Sequence, residues 1–111
     1  MSLKKNKIGI LGGSFDPAHK GHLIISKEAA KRFNLKLVIW AITKKNPFKK
    51  RSETTLSTRI KNCKKIVRNI GYIKVKFYED KIKSNKTINL INYFTKNKQN
   101  EIFFLMGADN L

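Results

Sequence analysis

An α/β fold, a parallel sheet with helices on both faces, is what this chain of 111 residues predicts. Three observations carry that expectation. Short apolar runs alternate with amphipathic helical patterns along the whole length. The apolar run Leu37–Ile42 is continuous, as in strands covered on both faces. A glycine-bearing turn at Gly12 and Gly13 leads from the first apolar run into the first helical pattern, where a group can approach the backbone.

The elements follow in order. Residues 8–11 form a short buried strand. Residues 21–33 read as a helix, with Leu23, Ile24, Ala30 and Phe33 inward and Lys27, Lys31 and Arg32 outward. Leu37–Ile42 is the second strand, and Trp40 within it reads as core rather than as a base-stacking group. Residues 43–54 form a polar, basic loop interrupted by Pro47. Residues 55–69 form a second helix with Leu56, Ile60, Cys63, Val67 and Ile70 on one face, ended by Gly71. In residues 72–78, Ile73, Val75 and Phe77 alternate with Lys74 and Lys76, the pattern of a strand at or near a sheet edge. Residues 79–86 read as a charged loop. Residues 87–96 form a third helix, with Thr87 as N-cap and Ile88, Leu90, Ile91 and Phe94 as its apolar face. Residues 101–106 are the fourth strand. Four strands joined by three helices give one domain over residues 1–111, with no repeat or linker. Ligands of such sheets bind beyond the carboxyl ends of the strands, where strand order reverses. A fourth strand lying beside the first brings Gly107 and Asp109 next to the turn at residues 14–22.

Residues 9–22 read Gly-Ile-Leu-Gly-Gly-Ser-Phe-Asp-Pro-Ala-His-Lys-Gly-His and hold both histidines of the chain. Pro17 fixes the turn and cannot continue a strand. His19 and His22 lie three apart, so on a first helical turn they share a face. That end of a helix carries unpaired N–H groups and attracts phosphate. Imidazole N–H groups there can stabilise charge building on phosphorus and its oxygens. The Ser14 hydroxyl and neighbouring backbone N–H groups can cradle phosphate oxygens, while Phe15 reads as packing and Asp16 as a turn former. No Ser-His-Asp set is visible.

The run from Gly12 to Pro17 followed by His19-Lys20-Gly21-His22 resembles the signature of the nicotinate-mononucleotide adenylyltransferase family, a His-x-Gly-His after Gly-Gly-[Ser/Thr]-Phe-Asp-Pro. The His-x-Gly-His part is shared with phosphopantetheine adenylyltransferases, cytidylyltransferases and class I aminoacyl-tRNA synthetases. Asn46-Pro47-Phe48-Lys49 resembles the family's proline-and-lysine loop. Met106-Gly107-Ala108-Asp109-Asn110-Leu111 resembles its Gly-Ala-Asp segment. The resemblance implies a Rossmann-like sheet of the nucleotidyltransferase type. It implies adenylyl transfer from ATP to nicotinate mononucleotide, giving nicotinate adenine dinucleotide and pyrophosphate, a step in NAD synthesis. It implies His19, His22 and Lys49 as the catalytic set, although Lys44, Lys45 and Lys50 crowd Lys49. Gly12, Gly13, Ser14, Phe15, Gly21, Gly107 and Asp109 fall on the nucleotide and phosphate side. Ser84 and Thr87 fall on the acceptor side, as does Arg59, either in contact with ligand or as a tie on the loop before the second helix. Mg²⁺ is implied as a companion of ATP, held by phosphates and water rather than by protein ligands. The family fold continues past Leu111 with an arginine-bearing phosphate loop, so the resemblance implies a C-terminally incomplete, N-terminal portion of that fold. Homo-oligomers are compatible with it.

Composition bounds the alternatives. The formal charge is +18, but the lysines are dispersed along the chain, and Lys, Asn and Ile are the residues that A/T-rich codons favour. A specific nucleic-acid partner is therefore not expected, and the positive field serves to steer anionic nucleotides. Cys63 is the sole cysteine, which suits a reducing cytoplasm. No run is long and apolar enough to span a membrane. Three rival readings stay open: adenylyl transfer to phosphopantetheine or another phosphate acceptor, a non-catalytic nucleotide-binding remnant, and a basic nucleic-acid-binding module.

Overall fold

A computed structural model describes residues 5–15, 18–44, 55–84 and 86–105. Its strands are β1 (Asn6–Gly13), β2 (Leu37–Ile42), β3 (Ile73–Lys76) and β4 (Asn100–Leu105). Its helices are α1 (Lys20–Phe33), α2 (Leu56–Val67), α3 (Glu79–Ile82) and α4 (Thr87–Thr95). The four strands form one parallel sheet in the order β3-β2-β1-β4. The chain leaves β1 toward β2 and β3 on one side and returns to β4 on the other, so strand order reverses at β1. The register sets Leu11 of β1 opposite Trp40 of β2 and Leu105 of β4.

Alternation along the central strands builds two apolar layers. On one face Leu11, Val38, Trp40, Ile42 and Leu105 meet Ala29 of α1 and Cys63 and Val67 of α2. On the other face Ile8, Ile10, Ile39 and Ala41 meet Leu90 and Phe94 of α4. β3 lies at the edge, with Ile73 and Val75 buried and Lys74 and Lys76 exposed, as its alternating sequence predicts. Gly9 of β1 is required by packing. A Cβ there would lie 2.7 Å from Leu35 Cδ1 and 3.2 Å from Leu105 Cδ1.

Several expectations need correction. Residues 79–86 are not all loop, because Glu79–Ile82 makes one turn of helix ended by Lys83 in the left-handed region. Thr87 is the first residue of α4 rather than its cap; Lys86 holds the cap position without a side-chain hydrogen bond. Ile24, Phe33 and Ile88 are 61%, 43% and 59% exposed. In α1 the face that meets the sheet holds Ser26 and Ala29, and Ile24, two residues before Ser26, is turned about 200° round the helix from it. Phe33 then lies at the rim, stacked on Phe103 at 5.1 Å. α4 covers its face through Leu90 and Phe94, which leaves Ile88 on the outside.

Candidate active site

The turn after β1 and the start of α1 are organised by the two histidines. His19 is the N-cap of α1, and its Nδ1 accepts the Gly21 N–H at 3.1 Å. His22 Nδ1 accepts the His19 N–H at 3.0 Å. The two imidazoles thereby form a reciprocal cap in place of the usual hydroxyl and carboxylate. With Nδ1 an acceptor in both rings, the proton of each neutral imidazole sits on Nε2. The ring centroids are 4.1 Å apart. His19 is exposed and His22 half-buried, as a pair at the mouth of a turn should be.

Gly21 makes this possible. A Cβ at position 21 would lie 2.8 Å from His19 Cε1 and 2.9 Å from Nδ1, so any larger residue there would make the ring shift from its place on the helix end. Phe15 adopts φ 53°, a left-handed conformation unusual for an aromatic residue. That bend turns its side chain into the core, where it is 3% exposed and stacks on Trp40 with centroids 5.0 Å apart. The same ring supports His22 at 4.5 Å. Any contact of Phe15 with nucleotide therefore falls to its backbone.

Arg59 is 4% exposed. Its Nη1 donates to the carbonyls of Ser14 (3.0 Å) and Thr43 (2.6 Å), and its Nη2 to that of Lys44 (2.7 Å). A planar fork with several N–H groups suits this triple attachment. The guanidinium joins the turn after β1 to the segment after β2.

A cavity of about 340 Å³ opens at the carboxyl ends of β1 and β2. Gly12, Gly13, Thr43, Glu79, Ser84 and Thr87 line it, with Tyr78, Leu90 and Phe104. It thus gathers Gly12 and Gly13, expected on the nucleotide side, and Ser84 and Thr87, expected on the acceptor side, into one space. The histidines are not in its lining; they follow the lining residues Gly12 and Gly13 in the chain, on the turn into α1. Glu79 Oε1 accepts the Lys44 N–H at 2.9 Å, and Ser84 Oγ accepts from Lys86 N (3.1 Å) and Asn89 Nδ2 (2.8 Å). Burial, and to a lesser degree Tyr93, pushes the Tyr78 phenol above its ordinary range. Lys49, Gly107 and Asp109 lie outside the described residues, as do Asp16 and Pro17.

Sequence reasoning missed Ser26, Tyr78, Glu79, Leu90 and Phe104. Ser26 had a readable signal, being a small polar residue on a helix facing apolar strands that include a buried tryptophan in need of a partner. The others become neighbours only through strand order. Among the described residues, no group of three His, Cys, Asp or Glu side chains is placed to hold a metal ion, and no helix is long and apolar enough to cross a membrane.

A cytidylyltransferase-like family model matches residues 10–111. A protein of Pelagibacter ubique named "Probable nicotinate-nucleotide adenylyltransferase" is 65% identical over the whole chain, which spans 62% of that relative's length. One of the same name from Agrobacterium fabrum is 38% identical over 94% of the chain and 56% of its own length. Among solved structures, Plasmodium falciparum nicotinic acid mononucleotide adenylyltransferase complexed with NaAD matches with a TM-score of 0.67 at 21% identity, over 88% of this chain and 50% of that one. The same enzyme complexed with APC matches with a TM-score of 0.72 at 20% identity, over 89% and 49%. At these identities the solved structures bear on the fold alone.

Proposed function

The chain belongs to the cytidylyltransferase-like family, and from that premise we propose that it carries the nucleotide-activating part of a nicotinate-nucleotide adenylyltransferase. The reaction is attack of a phosphate oxygen of nicotinate mononucleotide on the α-phosphorus of ATP. The bond from that phosphorus to the bridging oxygen breaks, and pyrophosphate leaves. The observation that supports this most is the reciprocal histidine cap. Two imidazoles hold their Nδ1 atoms on the amides of one helix end and carry their ring protons on Nε2, beside two glycines.

In this reading the protein supplies positioning and charge stabilisation, and no protein nucleophile is needed. His22 Nε2–H donates to the transferring phosphoryl group. His19 and Lys49 hold the flanking phosphates. Gly12 and Gly13 admit the nucleotide close to the backbone. The cavity bounded by Ser84 and Thr87 receives the acceptor nucleotide, and the curated relatives' names favour a pyridine nucleotide there. Arg59, bound to three carbonyls, keeps the two site-bearing turns together. Gly107 and Asp109 close the ribose side in the resemblance.

Among the described residues no group of three His, Cys, Asp or Glu side chains is placed to hold a metal; magnesium, which takes oxygen ligands, would be carried by the triphosphate and water and would neutralise phosphate charge.

The test is dinucleotide formation by the natural polypeptide supplied with ATP, Mg²⁺ and nicotinate mononucleotide, with phosphopantetheine as the competing acceptor. His22→Ala is expected to fall below about a tenth of wild-type turnover, the effect of losing one preorganised donor. Undiminished turnover overturns the assignment of His22. Preference for phosphopantetheine overturns the acceptor. ATP binding without turnover overturns the enzymatic reading in favour of a nucleotide-binding role.

A further inference from the structure

Besides its cap, His22 is held from two directions, through its carbonyl and through a stack of rings, and two of the residues involved, Ser26 and Trp40, lie outside the phosphate-binding motif. Ser26 is fully buried, with 0% exposure, on the helix face that meets the sheet. Its Oγ donates to the His22 carbonyl at 2.8 Å and accepts the indole N–H of Trp40 at 2.8 Å. Trp40 is likewise 0% exposed and belongs to β2, the strand beside β1. Its ring stacks on Phe15 at 5.0 Å with an 18° interplanar angle, and Phe15 in turn lies 4.5 Å from the His22 ring. The indole and the His22 imidazole are themselves 5.8 Å apart. One hydroxyl therefore ties the His22 backbone to the sheet, while a stack of rings supports its side chain from below.

We propose that Ser26 and Trp40 are a positioning pair that sets the location of His22 for phosphoryl chemistry. The proposal rests on the adenylyl-transfer reading above and adds residues that never touch substrate. A serine that merely satisfied its own helix would need only the carbonyl four residues back. Here the same oxygen also satisfies a buried indole N–H on another element, so the first turn of α1 cannot rotate without breaking a buried hydrogen bond. Positioning of this kind matters because reacting groups displaced by about 1 Å can lose rate by about a hundredfold.

The experiment is a double-mutant cycle in the natural polypeptide, using Ser26→Ala, Trp40→Phe and the pair together. Ser26→Ala orphans the indole N–H, whereas Trp40→Phe keeps an aromatic ring and removes the donor. Each single variant is expected to lose about five- to thirtyfold in kcat, with KM for both nucleotides within about twofold. The double variant removes both partners and recovers thermal stability relative to Ser26→Ala, while its kcat stays as low as that of the weaker single variant. Recovery of kcat together with stability overturns the proposal, since the pair would then be packing alone. So does an unchanged kcat in Trp40→Phe, the variant to rely on if Ser26→Ala does not fold.

The second readout is the imidazole ¹H–¹⁵N spectrum of His22. The wild type is expected to show Nδ1 as acceptor, and both single variants His22 signals moved from their wild-type positions as the ring shifts against Phe15 and Trp40. If the wild type makes no dinucleotide, the adenylyl-transfer reading falls, and this spectrum alone decides the pair: unaltered His22 signals in Trp40→Phe overturn it.

Discussion

Gly21 stands between the two histidines for a steric reason that can be tested by adding one carbon. The His19 ring occupies the place a Cβ would take, with approaches of 2.8 and 2.9 Å. Gly21→Ala therefore moves the ring or the turn, and the capping bond from the Gly21 N–H to His19 Nδ1 is lost. Alanine is otherwise the better helix residue by about 0.8–1 kcal/mol, so the substitution divides two effects. Stability is expected to change by less than about 1 kcal/mol, whereas turnover is expected to fall about tenfold or more. Urea denaturation beside a turnover assay checks this, and wild-type turnover in Gly21→Ala contradicts the geometry. The turn was legible in the sequence because its chemistry is local: glycines, a proline and two histidines fall within eleven consecutive positions. The bond between Ser26 and Trp40 was legible only as a buried indole's need for some partner, because it joins residues on different elements that the fold alone brings together.

At the scale of elements, the alternation of apolar runs and helical patterns was enough to place four strands and three longer helices within a few residues. What escaped was α3, too short and too charged to show a period, and the facing of α1, where Ser26 and Ala29 take the inward face, Ile24 lies on the opposite side and Phe33 at the rim. Arg59 was open in the sequence between touching ligand and tying down a loop, and the structure shows it tying together the segments after β1 and β2. A lysine has one compact ammonium and cannot reproduce a planar fork across three carbonyls. Arg59→Lys is therefore expected to destabilise by about 1–3 kcal/mol, read from the urea midpoint at constant slope. A change below about 0.5 kcal/mol, the usual size for an uninvolved surface site, contradicts the linking role.

The molecule as a whole is stabilised by two apolar layers around one sheet, and its pH dependence reports on the layer that carries α2. Cys63 is fully buried there, and burial pushes its thiol from 9.0 up to about 12, against the nearby Arg59 guanidinium, which pulls it down. The native state therefore keeps a proton that the unfolded chain releases above pH 9. Unfolded chains bind fewer protons across that window, so stability is intact below about pH 9 and declines as pH rises toward 12. One such proton contributes a slope of about 1.4 kcal/mol per pH unit. Cys63→Ala removes it. That variant starts from a lower stability at neutral pH because it leaves a small cavity, so the slope and not the level carries the comparison. Tyr78 is also shifted upward and adds to the alkaline decline, but it is present in both proteins and cancels between them. Urea unfolding under reducing conditions at pH 8, 9, 10 and 11 is expected to give a shallower decline for Cys63→Ala. Parallel curves would mean that the thiol ionises without hindrance in the folded protein, and the packing of α2 against the sheet could not then be as tight as the zero exposure of Cys63 and Trp40 requires.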